Sequence, residues 1–571
     1  MTRALRRLAD TSWLALLLSA IAILDGRVAP AFLVLALAAF FAGPLLLPAA
    51  ASAPRLFGLS LFLFLFACAW TVYHQPGAPL DLFEDGLLLA PADAYGRGAR
   101  PYLDTYPFHG WGADGGVDAF LFRFFPTTLE TFRLRRAVMT SLALPCLGLA
   151  SYLFFGTAAW TGAGLALSLT ICPFLSERQL LALGTVCLIL LAARRGRPIA
   201  WALAGALSGA TLFFSLDFGL IVLGGGAIAA VLAPLLDGWS QIRRAAAGAL
   251  AFASGAAAGS LPFLLRLAAC GALSEFFRVS FVEIPAAVLD TWGLPVASAS
   301  AIASTLGSQS LLGFLAAGSE MPALTLILLL TAATTILLFR AARSLLEPAD
   351  RAAAAWLPVA ALALRGALGR ADEGHFALYG VLFGLPAAWI LYRAARSSRP
   401  LLLGSLVVLF LAARLHPRRS LVAEWQAVTG GWRARAAASA QPPVARGGGA
   451  SVPPAQAREL VALKDALDNL PGGRTFFDFS NAPALYFLFD RRMPVRYACV
   501  PLYETEAKQR EVIEALEREK PPLALLGKGE GPDAFDGVTN RERAPRVAAY
   551  LDEHYEPAGE AAGRRIWRIR P

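Results

Sequence analysis

The chain has 571 residues, of which 57% are apolar and only 16% charged, and its mean hydropathy is +0.55. A water-soluble protein of this length carries far more charge, so the composition points to a membrane protein. The formal net charge of +10 does not make it a nucleic-acid binder. Nearly all the cations are arginines, many at the ends of apolar runs, and the lysines (Lys464, Lys508, Lys520, Lys528) all lie late in the chain. The six cysteines show no CxxC spacing and mostly fall inside apolar runs, which reads as packing rather than a disulfide framework or a zinc motif.

In chain order, Arg3, Arg6 and Arg7 argue for a cytoplasmic start. The apolar run from Trp13 to Leu24 is short for a span and reads equally as a signal-peptide core, but either way the chain is outside at Asp25. The run 28–50 returns it, and 56–73 exits again, so residues 74–136 form a large external first loop. Four later basic turns then fall on the cytoplasmic side: Arg194, Arg195 and Arg197; Arg243 and Arg244; Arg340 and Arg343; Arg393, Arg396 and Arg399. Arg133, Arg135, Arg136, Arg418 and Arg419 run against this threading, which places them outside. The expected fold is an all-α polytopic domain of about 13 transmembrane helices over residues 1–415. A linker follows at 416–456, rich in Gly and Pro near its end, and then a small extracytoplasmic α/β domain at 457–571. In that tail TFFDF and LALLG read as strands, and ETEAKQREVIEALEREK and RERAPRVAAYLDEHY as amphipathic helices.

The first loop carries LDLFEDG, residues 80–86, with three carboxylates at i, i+3 and i+4: Asp81, Glu84 and Asp85. If the stretch opens a helix, they share one face. One reading is a capping box, with Asp81 as the cap and Glu84 reaching back from the third position, which leaves Asp85 spare. The other is chemistry, because acids beside a bilayer are costly. GRGARPYLDTYPFHGWGADGG follows and adds Asp104, His109 and Asp114 on a loop richer in polar and turn residues than a connector needs.

An acidic pair with Gly (Glu84, Asp85, Gly86), then GxxPYxD (Gly98, Pro101, Tyr102, Asp104), then His109 and Gly110, resembles the first loop of GT-C glycosyltransferases. These are polytopic enzymes represented by protein O-mannosyltransferases and the aminoarabinose transferase of lipid A. DFSNAPALYFLFDRRMPVRY, residues 478–497, is similar to their external tails. The resemblance implies a bacterial inner-membrane enzyme that moves a sugar from a polyprenyl-phosphate donor to a lipid, glycan or protein hydroxyl at the outer face, with inversion. Its acidic pair is usually Asp then Glu, with the first acid as base. Here the order is reversed, and because capping accounts for Glu84, Asp85 is the expected base.

A leaving lipid phosphate calls for cations at external span ends. Arg178, and Arg370 with His375, stand there, with Asp217 and Asp372 as neighbouring acids. Asp81, Asp104 and His109 complete the expected donor-binding set. The plain alternative is that each arginine is an interfacial residue paired with Glu177 or Asp372. No cofactor is implied, although a divalent cation bridging acids and phosphate stays open, since no metal-ligand spacing stands out. Rival readings are a transporter or flippase, which would want ionisable residues or broken helices at mid-membrane, and an O-antigen ligase or polymerase.

Overall fold

The computed structural model describes residues 11–24, 32–33, 35–36, 54–74, 77–172, 175–290, 320–370, 372–397, 444, 446–470 and 475–571. It is 73% helical, with one small sheet. Among the described residues four helices are long and apolar enough to cross a membrane: Leu129–Phe155, Leu216–Leu235, Trp239–Ala269 and Pro348–Gly369. A fifth candidate is broken, Gly374–Gly380 followed by Gly384–Arg396 with a 60° bend between them. Shorter apolar helices include Gly58–Tyr73, Ala159–Ile171, Pro198–Phe214 and Leu326–Ala342. Much of the spans expected at 28–50 and before Leu415, and of the loop 266–322, lies outside the described residues.

The chain separates into two compact units. One comprises the described residues of Met1–His74, Ala137–Pro262 and Ala287–Trp432. In lipid there is no hydrophobic force to press one helix onto another, so close contact depends on small residues. Gly205 and Gly209 of the Pro198–Phe214 helix lie against Phe252, Ala256 and Ser260 of Ile242–Ala269, and Gly255 and Gly259 of that helix lie against Ala202 and Ala206, a GxxxG on each side. A methyl carbon at Gly205 would lie 2.0 Å from the Phe252 carbonyl oxygen, and one at Gly259 would lie 1.9 Å from that of Ala206. Backbones this near leave room for no side chain. Elsewhere in this unit Asp350, with no solvent exposure, accepts from Arg340 Nε at 3.0 Å, Arg393 Nε at 2.8 Å and Trp389 Nε1 at 3.2 Å. Two arginines read from the sequence as topology signals therefore also neutralise a buried acid.

The second unit gathers the described residues of Gln75–Arg136, Phe263–Ala286 and Arg433–Pro571. Its sheet has the order β1-β2-β4-β3, with β1 Phe477–Phe479, β2 Leu523–Leu526, β3 Tyr555–Ala561 and β4 Arg564–Ile569. β1 and β2 are parallel, joined by a crossover that contains the Glu506–Glu519 helix, and β3–β4 is an antiparallel hairpin beside β2. The two expected strands and the first expected helix are present. The second expected helix is split at Pro545 into Asn540–Arg543 and Pro545–His554. The β3–β4 hairpin was not anticipated, because YEPAGEA has no apolar alternation.

The first loop and the tail share one core. Leu88, Leu89 and Phe132 pack with Leu460, Leu463, Tyr486, Phe487, Leu525 and Ile566. The described end of the stretch expected as a linker, residues 444 and 446–456, is also tied in, the rest lying outside the described residues: Leu129 N–H donates to Arg446 O at 2.8 Å, Gly449 N–H to Glu130 Oε2 at 2.8 Å, and Val452 is fully buried. Over these residues Gly447 to Gly449 form a packed turn.

Candidate functional site

LDLFEDG does open a helix, Glu84–Gly96; Phe83 immediately precedes it, and the Asp81 side chain caps the turn that leads in. Asp81 Oδ1 accepts the backbone N–H groups of Phe83 and Glu84, each at 2.9 Å. The reciprocal half of the box is not made by Glu84, however. Asp85 Oδ2 accepts Asp81 N–H at 3.2 Å, while Glu84 is exposed and makes no such bond. The expected assignment is thus corrected: Asp85 is the engaged acid and Glu84 the spare one. The cause is the direction of the helix face. Asp85 points inward, 8% exposed, and Glu84 outward.

Inside, Asp85 meets a cation. Arg136 Nη1 donates to Asp85 Oδ1, and Arg133 lies close enough to act on the same carboxylate. Arg133 itself donates to the carbonyls of Ser451 at 2.6 Å and Ala78 at 2.8 Å. Burial pushes the Asp85 carboxyl above its ordinary range, with Arg136 opposing. Arg135, the third arginine of the run, forms a buried fork with Asp118 at 2.5 and 2.9 Å. Arg133, Arg135 and Arg136, three of the five arginines that run against the threading, are thus counter-charges of the first loop; Arg418 and Arg419 lie outside the described residues. Three arginines soon after a loop rich in acids were the available signal.

Gly86 has a packing reason to be glycine. A methyl carbon there would stand 2.3 Å from Ala484 N, in the tail segment whose N–H donates to Leu82 O at 3.1 Å. His109 is held by Asp114, which the sequence reading left out of the site. Asp114 Oδ1 lies 2.8 Å from His109 Nδ1, and Oδ2 accepts His109 N–H at 2.7 Å. A carboxylate on Nδ1 fixes the ring and leaves Nε2 for other work. Asp104 forms a bidentate pair with Arg100, 2.9 Å on both arms, which holds its carboxyl below the usual range. It lines a cleft of about 460 Å³ with Asp93 and Arg97 from the first loop and Arg491, Arg496 and Glu511 from the tail. Asp85 is not among the residues lining that cleft.

The other expected residues belong to the first unit, in two clusters. Arg178 Nη2 lies 2.5 Å from Asp217 Oδ2, which also accepts from Tyr379 Oη at 2.6 Å, while Ser215 Oγ donates to Asp217 Oδ1 at 2.6 Å. Arg178 therefore pairs with Asp217. Tyr379, one turn after His375, was missed. Asp372 caps the Glu373–Gly380 helix and holds both neighbours, Arg370 Nε at 2.6 Å and His375 Nδ1 at 2.8 Å. The pairing of Arg370 with Asp372 is the plain alternative weighed above. Among the described residues no group of three or more His, Cys, Asp or Glu side chains is placed to hold a metal ion. No protein-family model matches the chain, and no curated protein matches it.

Proposed function

We propose that the chain is an integral-membrane glycosyltransferase of the GT-C type, acting at the outer face of the bacterial inner membrane. It moves a sugar from a polyprenyl-phosphate donor to an acceptor hydroxyl by inverting displacement, within a bundle of about 13 spans. Asp85 is the general base. The observation that carries this reading is a carboxylate buried in the first turn of the Glu84–Gly96 helix, raised above its ordinary range by that burial and fixed by Arg136. A base works best when its pKa lies nearer the working pH and its rotamer is held. Arg178 and Arg370, with His375, are the cations proposed for the donor phosphate, each already paired with an aspartate that sets its position. Lipid, glycan and protein acceptors all fit this chemistry.

The test is transfer of labelled sugar from a polyprenyl-phosphate donor in proteoliposomes. Asp85→Asn keeps the cap bond but cannot take a proton, and should slow transfer about a hundred- to ten-thousand-fold. Glu84→Gln should remain within a few-fold of the parent. If the two variants exchange behaviour, the base is the exposed Glu84; if both transfer normally, LDLFEDG only starts a helix.

A transporter or flippase is the second reading, favoured by the 60° break between Gly374–Gly380 and Gly384–Arg396 and by the Arg178–Asp217–Tyr379 cluster. On that reading Asp217→Asn would abolish movement of substrate across vesicles while Asp85→Asn would leave it intact.

A further inference from the structure

β1 and β2 run parallel and end at the same edge of the sheet, the edge at which α/β folds most often place ligands. A cavity of about 200 Å³ opens there, lined by Phe479 and Leu526 at the strand ends, the Gly527–Gly529 loop, Asp533, Thr539, Arg541 and Arg565. The loop after β2 reads GKGEGP, and Gly529 and Gly531 take φ of +82° and +57°, a left-handed backbone that glycine adopts without strain. Three cations and one acid line the space. Lys528 reaches Glu560 at the surface, where both side chains are about half exposed, and Arg541 is forked onto Asp552 at 2.7 and 2.9 Å. Arg565 differs. Among the described residues it has no carboxylate within ion-pair distance, although Asp533 and Asp552 lie near enough to feel its charge; its Nη2 donates to Gly527 O at 2.8 Å, and its Nε is shielded from solvent with no hydrogen-bond partner. Arg565 is only partly buried, but an N–H shielded from water and left unused is costly unless something meets it. The acid, Asp533, faces inward to accept Gly529 N–H and so shapes the loop.

We propose that this cavity binds a phosphate group, as a soluble phosphate or phosphate ester or as a lipid headgroup, with Arg565 as the fork and Lys528 as the flanking charge. The site belongs to the tail sheet and does not depend on the transfer reaction.

The test uses the full chain in phosphatidylcholine nanodiscs and equilibrium dialysis against labelled pyrophosphate. Saturable binding is expected, weakened about tenfold or more by Arg565→Gln and recovered little by Arg565→Lys, because an ammonium cannot reproduce the fork. Lys528→Gln, on an exposed loop, should weaken binding severalfold with no effect on folding, which guards against a misfolded Arg565 variant. In nanodiscs that include phosphatidic acid, competition with pyrophosphate would identify the headgroup as the ligand, and its absence a soluble phosphate. No saturable binding by the parent chain, or binding indifferent to both substitutions, overturns the proposal.

Discussion

Asp85 and Glu84 are adjacent in sequence and opposite in circumstance. Spacing alone placed both on the helix start, and that much was legible: a cap, a first turn and a shared face. Which acid turned inward was not legible, because it depends on the Arg136 side chain 51 positions away and on how the helix is rolled against the tail. The consequence is a pH dependence. A base must be ionised to act, so transfer should rise with pH along a limb set by Asp85 and lying above the ordinary carboxylate range. Arg136→Gln removes the opposing charge and should move that limb to higher pH, whereas Glu84→Gln should leave it in place. A pH–rate profile of kcat/KM for the three proteins checks this. A limb that does not move in Arg136→Gln would detach Asp85 from the proton transfer. The sign for the fold is the reverse: a carboxyl whose folded pKa is raised favours the protonated form, so stability is lost as pH rises through that folded pKa.

Among elements, apolar runs announced helices, since length and hydropathy carry that signal without help from partners, but among the described residues only four, or five with the bent pair, are long and apolar enough to cross a membrane. The basic turns were legible as charge but not as structure: Arg340, 10 residues before Asp350, and Arg393, 43 residues after it, close on the same carboxylate. The hairpin β3–β4 escaped because its first strand is held by the ladder rather than by its own composition. The facing GxxxG pairs are the most exacting contact in the first unit. Gly255→Leu puts a branched side chain where a methyl carbon would already lie 2.0 Å from the Ala202 carbonyl oxygen. It should force the helices apart and lower the thermal midpoint in detergent by several degrees. Gly58→Leu, where a methyl carbon meets nothing within 4 Å, should leave the midpoint unchanged. Equal midpoints would mean that the two backbones do not touch.

Over the whole molecule, a shared core has a topological meaning that does not depend on counting spans. Leu88 and Leu89 of the first loop are buried with Leu525 and Ile566 of the tail, so both regions must lie on the same side of the membrane. The basic turns predict that this side is the outer one; the core shows only that the side is shared. Gly96 and Gly559 are exposed, and a methyl carbon at either meets nothing within 4 Å, so single cysteines there are tolerable probes. In a background without reactive cysteines, an impermeant thiol reagent should label both in intact cells. Labelling of both only after lysis would turn the protein over, and labelling of one alone would contradict the common core.

That common core also sets a timetable. Ribosomes deliver Phe132 long before Ala484, and at about 5–20 residues per second the interval of about 350 residues takes roughly 20–70 s. Throughout it the Glu84–Gly96 helix, with Leu88, Leu89 and the inward Asp85, stands without the segment that covers Gly86 and closes the core. The first loop is therefore an unfinished surface during synthesis, a client for whatever holdase waits on its side of the membrane. A chain stopped at residue 443 should keep its membrane helices yet be cut by protease within the loop 77–136, while the full chain resists. Equal resistance of the two would show that the loop folds without its tail.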